Sequence, residues 1–239
     1  MTLDKPVMAF LPCRKGSERV REKNTRPFAG ISGGLVELKL NQLIACEAID
    51  AIVVSTNDPS VMAVAQRLAR EGSKPLTVAS RPEHLASSST PTDALVAHVP
   101  DIIREDALIL WTHVTSPFVG AGTYSRAIRT CRQALASAQQ DSLMSVTRLQ
   151  TFIWNQAGPV NYDARQLKWP NTQTLPMWYE VNSAIFLAPR AVYLERRDRV
   201  GAHPIFFELS RWEGLDIDWE EDFELAEARW ARNAMGVAA

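Results

Sequence analysis

Apolar residues along this chain alternate between short continuous runs and longer periodic stretches. Val7 to Leu11 is a compact apolar run ended by Pro12, and Ala51 to Thr56 is a β-branched one. Pro75 to Ala79, Ala107 to Trp111 and Ser142 to Arg148 read the same way. Such runs predict strands buried on both faces of a sheet. Between them lie helix-like stretches. Leu35 to Glu47 spaces its apolar residues for one face, and Asp58-Pro59 predicts a capped helix start with the helix running to about Glu71 and stopping at Gly72. Thr92 or Asp93 to about Arg104, and Thr123 to Ala138, predict two more helices. This alternation is the signature of an α/β fold, a mainly parallel sheet with helices on both faces.

The alternation breaks between Leu149 and Pro176, where Trp154, Pro159, Tyr162, Trp169 and Pro170 stand among polar residues, with Trp178 just beyond. That composition suits an inserted β-arm, at about 149–180, or a dimer contact better than another βα unit. It is equally compatible with a long loop packed by its own aromatics. Val181 to Leu187 and Ile205 to Glu208 predict further strands, and Leu215 to Trp219 leads into a final acidic helix from Glu220 to about Asn233. Phe223, Ala226 and Trp230 would form its apolar stripe. The 239 residues are therefore read as a single domain, 1–239, carrying that arm.

The formal net charge of −1 disfavours a general nucleic-acid binder, so any anion site must be local. Cys13, Cys46 and Cys131 have neither disulfide-framework nor zinc-site spacing. The N-terminal residues lack the apolar core of a signal peptide, and no apolar stretch approaches membrane-spanning length. A cytoplasmic protein without membrane or nucleic-acid partners is the expectation.

Two polar constellations stand out. After the first strand, Arg14, Lys15, Arg19, Arg21 and Lys23 crowd around Gly16-Ser17. A glycine can turn backbone N–H groups toward a ligand while cations neutralise phosphate charge. A solvated basic loop would have the same composition, but open α/β sheets bind ligands beyond the carboxyl ends of their strands. The second is Asp216-Ile217-Asp218. In an extended segment at a strand end its two acids would project together while Ile217 enters the core, an arrangement suited to Mg²⁺ shared with substrate phosphates. Alternatively, either acid would cap the final helix. Cations and a carboxylate pair are complementary halves of a nucleotidyl-transfer site.

The sequence from Leu11 to Asn24 resembles the I-P-A-R-x-G-S-K-x-x-x-x-K-N signature of CMP-sialic acid synthetases, the acylneuraminate cytidylyltransferases. Further resemblances follow in order: Val53–Asp58 to V-V-S-T-D-D, Arg81–Ala86 to R-P-x-x-L-A, Thr115–Pro117 to T-S-P, Leu175–Asn182 to L-P-x-x-Y-x-x-N, and Asp216–Asp218 with Asp222–Glu227 to I-D-I-D-x-x-x-D-x-x-x-A-E. The resemblance implies a Rossmann-like nucleotide-diphospho-sugar transferase fold, a homodimer whose arm reaches the neighbour's sugar pocket, and transfer of CMP from CTP to a nonulosonic 2-keto sugar acid. Leu11, Arg14, Gly16, Ser17, Lys23, Asn24, Arg81 and Thr92 would contact the nucleotide. His113, Thr115, Ser116, Gln173, Tyr179 and Asn182 would contact the sugar. Asp216 and Asp218 would hold Mg²⁺ and act in catalysis with Arg14 and Lys23.

The chain also departs from that pattern. Cys13 stands in place of alanine as a small buried thiol, and His113 in place of glutamine as a sugar donor, a weak base or a structural histidine. Asn171-Thr172-Gln173 replaces an R-R-Q-like triplet, which leaves Lys168 or Arg165 as candidates for the sugar carboxylate. Rival readings are a cytidylyltransferase for an eight-carbon keto sugar acid, a glycosyltransferase of similar fold, and a catalytically silent nucleotide-binding protein.

Overall fold

A computed structural model describes residues 5–72 and 74–234. The N-terminal residues 1–4, part of the segment read above as lacking a signal-peptide core, lie outside the described residues. The strands of the main sheet are β1 (Val7–Cys13), β2 (Ala51–Thr56), β3 (Leu76–Ser80), β4 (Leu108–Trp111), β5 (Ser142–Leu149), β8 (Trp178–Pro189) and β9 (Pro204–Leu209). Two-residue strands β6 (Trp154–Asn155) and β7 (Gly158–Pro159) form a separate hairpin. The helices are α1 (Gly34–Ile44), α2 (Pro59–Glu71), α3 (Thr92–Ile102), α4 (Ala121–Ser137), α5 (Arg190–Arg196) and α6 (Glu220–Ala234).

The sheet runs in the order β3-β2-β1-β4-β8-β5-β9. β1 pairs in parallel with β2 and β4, β2 with β3, and β5 with β9. Only β8 is antiparallel, to β4 on one side and β5 on the other. The expected α/β architecture with a mainly parallel sheet is what forms. Successive side chains of a strand point to opposite faces, and the packing follows that rule. Val7, Ala9, Leu11 and Cys13 enter one core with residues of α1, α2, α4 and α6. Phe10 joins the opposite core with residues of α3 and α5. A strand buried on both sides needs the continuous apolar run seen in β1.

Local signals set several boundaries. Asp58 caps α2, its Oδ1 accepting from Ser60 N at 2.9 Å, Pro59 takes the first helical position, and Gly72 ends the helix. Strand β1 continues through Pro12 to Cys13, beyond the expected stop, since a proline nitrogen costs nothing where no ladder donor is required. Helix α5, which the sequence pattern did not indicate, starts directly after Pro189. Between β5 and β8 the chain carries the β6–β7 hairpin, in the region read above as an inserted arm, and its aromatics pack on one another. Trp154 stacks on Trp169 at 6.0 Å between centroids, and Phe152 meets Tyr162 and Trp169 edge-on. No helix among the described residues is long and apolar enough to cross a membrane.

Candidate active site

Because β1, β2, β3 and β4 are parallel, the loops after them gather along one edge of the sheet. The loop after β1 turns at Gly16, whose φ of +79° is ordinary only for glycine. It is pinned at both ends. Asn24 Nδ2 donates to Arg14 O at 3.1 Å, and Lys15 N donates to Asn57 Oδ1 at 2.8 Å in the loop after β2. The Arg14 guanidinium folds back on the Gly16 carbonyl.

This loop walls a cleft of ≈ 410 Å³ reached by Arg14, Ser17, Lys23, Asn24, His113 and Thr115. A second cleft of ≈ 220 Å³ adjoins it through Arg14, Ser88 and His113, and adds Arg81, Thr92 and Trp111. Arg81 is buried, its Nη2 donating to Ser55 O at 2.8 Å and its Nε to Ser55 Oγ at 3.2 Å. The sequence alone cannot distinguish this anchored guanidinium from a surface arginine. Burial pushes the Cys13 thiol up to about 12, which makes it an inert core group.

Burial, with Arg199 and then Lys23 close by, pushes His113 down to about 3. Its Nε2 accepts the indole N–H of Trp111 at 2.9 Å, an assignment that leaves the ring proton on Nδ1. His113 is therefore a neutral donor at the cleft wall, and its lowered pKa and occupied Nε2 both argue against a general-base role near neutrality.

The carboxylates arrive from the far end of the chain. Residues 215–218 are irregular rather than a strand end, because β9 finishes at Leu209 and a turn intervenes. Extended alternation nevertheless holds. Ile217 is fully buried while Asp216 and Asp218 both line a third cleft of ≈ 640 Å³. The Ile217 peptide group ties the wall together, its N–H donating to Thr115 O at 2.9 Å and its carbonyl accepting from Lys23 Nζ at 2.7 Å. Helix capping falls to neither acid of the pair. Asp222 Oδ2 accepts from Asp218 N at 3.0 Å and from Trp219 N at 2.7 Å, at the entry to α6.

Asp218 pairs with Arg19 at 2.7 Å and lies 3.9 Å from Lys23. Burial raises the Asp216 pKa, and Asp218 adds to the rise, while the neighbouring Thr115 hydroxyl, Lys23 and Arg19 oppose it. Asp216 Oδ1 is buried without a hydrogen-bond partner. An orphaned carboxylate oxygen beside a second carboxylate fits an oxygen-seeking divalent cation. No group of three or more His, Cys, Asp or Glu is arranged for a metal among the described residues, so the rest of such a shell would come from substrate and water.

The opposite wall of the third cleft is built by a bulge. Met144 of β5 pairs with Phe186 of β8, but Val146 pairs with Val181, so several β8 residues lack ladder partners. Side chains take up their polar groups. Asn182 Oδ1 accepts from Ser145 Oγ at 2.6 Å, its Nδ2 donates to Thr147 Oγ1 at 3.1 Å, and Ser145 Oγ accepts from Ile185 N. Ser183 lies in the left-handed region at φ +57°. Gly214 presses on this network, and a Cβ there would sit 2.7 Å from Thr147 Oγ1 and 2.8 Å from Asn182 Nδ2.

Of the residues expected to act, Arg14, Ser17, Lys23, Asn24, His113 and Thr115 line the first cleft, Arg81 and Thr92 the second, and Asn182, Asp216 and Asp218 the third. Gly16 faces a space of ≈ 270 Å³ on the other side of the basic loop. Four expected residues, Leu11, Ser116, Gln173 and Tyr179, line none of the three clefts. The Leu11 side chain is fully buried on the core face of β1. Ser116 is fully buried in the loop after β4, where its carbonyl accepts from Lys39 Nζ at 2.7 Å. Gln173 is exposed in the arm, where its carbonyl accepts from Gln150 Nε2 at 3.0 Å. Tyr179 packs edge-on against Phe206 at 5.2 Å, away from the clefts. Arg165 pairs with Asp163 inside the arm, and neither it nor Lys168 lines the third cleft. Arg19, Ser88 and Arg211 line clefts without having been singled out one by one; Arg19 lay in the basic cluster and Ser88 in the Ser87–Thr92 loop, one of whose hydroxyls the resemblance places near the nucleotide, while Arg211 carried no local signal.

Residues 8–228 match the model of a family described as Cytidylyltransferase. An N-acylneuraminate cytidylyltransferase of Escherichia coli O18:K1:H7 is 24% identical over 226 residues, covering 92% of this chain and 51% of that protein. The chain thus spans about half the length of this curated relative. Among solved structures, a CMP:2-keto-3-deoxy-manno-octonic acid synthetase complexed with CTP superposes with a TM-score of 0.68 at 14% identity, over 95% of this chain and 99% of the other. A 4-diphosphocytidyl-2C-methyl-D-erythritol synthase from Anaerococcus prevotii superposes with a TM-score of 0.63 at 13% identity, over 95% of this chain and 97% of the other. At these identities the structural likeness is one of fold.

Proposed function

The chain belongs to the cytidylyltransferase family, and on that premise we propose that it transfers CMP from CTP to a nonulosonic, sialic-acid-like 2-keto sugar acid. One observation supports the reading: the Lys23–Ile217 contact joins the cationic loop after β1 to the carboxylate pair, so that a basic wall of the first cleft and an acidic wall of the third meet through it. The first two clefts take the nucleotide. Arg14, Ser17, Lys23 and Asn24 hold the triphosphate, while Arg81 and Thr92 lie at the nucleoside end. The third cleft takes the sugar acid beside Asn182.

The acceptor's anomeric hydroxyl oxygen forms a bond to the α-phosphorus of CTP. The bond from that phosphorus to the bridging oxygen breaks, pyrophosphate leaves with the electron pair, and the hydroxyl proton is lost to solvent. The chain's contribution is alignment and charge compensation, with Arg14 and Lys23 facing the negative charge that develops. Asp216 and Asp218 would hold Mg²⁺, which supplies further charge stabilisation at the phosphates when bound. His113, neutral and bonded to Trp111, donates from Nδ1 and orients ligand at the junction of the nucleotide clefts.

The arm, with Trp154, Leu167 and Trp169 exposed, is proposed as the contact of a homodimer. An eight-carbon keto acid is the competing acceptor. CTP-dependent pyrophosphate release, measured with a panel that includes N-acetylneuraminate and the eight-carbon acid, tests the reading. Turnover with a nine-carbon acid, nearly abolished in Asp218→Ala with the fold intact, is the expected result. Turnover with none of the panel, or an unimpaired Asp218→Ala, contradicts it.

A further inference from the structure

The third cleft poses a problem of charge. Glu180, Asp216, Asp218 and Asp222 line it, yet the proposed acceptor is itself an anion. Asp222 is taken up in capping α6, and Asp218 is paired with Arg19, which leaves Glu180 as the lining carboxylate with no partner among the described residues, beside the buried, unpartnered Asp216 Oδ1. Arg211 is the only cation on that lining.

Its placement is built by the turn between β9 and α6. Gly214 N donates to Ser210 O at 2.8 Å, and Ser210 Oγ donates to Glu213 Oε2 at 3.0 Å. Glu213 accepts from Thr123 Oγ1 at 2.8 Å and pairs with Arg126 at 3.3 Å, which fixes the turn to α4. Trp212 packs edge-on against Phe118 and lies under the Arg229 guanidinium. Gly214 closes the other end against Asn182 and Thr147. The neighbours of Arg211 are thus anchored on every side. Its own guanidinium has neither a hydrogen bond nor an ion pair among the described residues. A planar, permanently charged fork left unpaired on the wall of an acidic cleft suits a carboxylate bound in two-point fashion.

We propose that Arg211 is the residue that receives the carboxylate of the acceptor and so makes the third cleft selective for keto acids over neutral sugars. This rests on the function proposed above and deepens it. The carboxylate bound at Arg211 sets the acceptor's position in the cleft that the Asp216–Asp218 wall bounds. It also offsets the repulsion that Glu180 would otherwise impose.

The test uses the full chain and whichever keto acid of the panel it turns over, together with the methyl ester of that acid. Losing one charge-assisted contact should raise the acceptor KM in Arg211→Gln by about 10–100-fold, with the KM for CTP held within about twofold. Arg211→Lys should recover part of the loss, and the preference for free acid over ester should collapse in Arg211→Gln. An unchanged acceptor KM, an equal rise in the KM for CTP, or an intact preference for the free acid would overturn the assignment. A wild-type chain that turns over no member of the panel would instead refute the proposed function, taking this assignment with it.

Discussion

The two halves of the sheet edge are constructed differently. On the side of the loop after β1, strands β3-β2-β1-β4 run parallel in unbroken register, and their loops supply Arg14, Asn57, Arg81 and His113 at neighbouring strand ends. On the side of β8-β5-β9, one strand is reversed, the register jumps, and a network of Ser145, Thr147 and Asn182 replaces the missing ladder bonds. The first half is the one proposed above to hold the phosphates, and it is assembled from contacts close to strand ends. The second is particular to this fold and depends on side chains holding an irregular backbone in place. Phosphate recognition should therefore tolerate changes in the bulge, and recognition of the acceptor should not.

The strongest challenge to that division is at its seam. Lys23 belongs to the phosphate side, yet its ammonium reaches the Ile217 carbonyl and lies 3.9 Å from Asp218. Lys23→Met should lower kcat for pyrophosphate release by about 10²–10³, the usual consequence of removing one positioned donor from a charge-stabilising site. A variant with near wild-type turnover would show that the two sides operate independently.

A smaller effect is expected within the bulge. Gly214→Ala forces a Cβ into Thr147 and Asn182 and should destabilise the fold by about 1–3 kcal/mol, measured as a lowered thermal midpoint. Acceptor KM should rise while CTP affinity, measured by calorimetry, stays unchanged. Equal damage to CTP binding would erase the contrast between the halves.

The smallest effect concerns His113. Its pKa in the folded chain, about 3, lies below the ordinary 6.5, so the folded state favours the neutral ring, and that preference is lost only as pH falls through about 3. Between pH 5.5 and 8 the profile of kcat/KM should carry no limb from His113, and His113→Gln should retain its shape. A limb near 6.5 that disappears in His113→Gln would return the residue to acid–base chemistry.

What the sequence disclosed follows the same division. Helix α2 was legible to its ends because Asp58-Pro59 and Gly72 act through their immediate neighbours. The basic loop was legible because it directly follows a buried strand. The direction of β8 was not, since an apolar run has the same composition whether it pairs parallel or antiparallel. Leu11 and Tyr179 lie in matching motifs but face away from the clefts, because facing is decided by pairing partners distant in sequence. Lys39 is the clearest case. Helical spacing sets Lys39 on the same face as Leu35 and Leu43, but its residue type argues for solvent; it is fully buried, with Nζ donating to Ser116 O, Val119 O and Tyr124 Oη. Burial lowers its pKa well below the usual lysine value, and its three acceptors come from the loop after β4 and from α4.

Ile217 has a mechanical consequence beyond its place between two acids. Its side chain is rooted in the core, its N–H is tied to the loop after β4, and its carbonyl to the loop after β1. A partition fastened at three points cannot swing like a door. Donor and acceptor compartments would then fill and empty through their outer boundaries, the Ser87–Thr90 segment before α3 on one side and the arm on the other, while the dividing wall remains the stationary datum from which the reacting distance is measured.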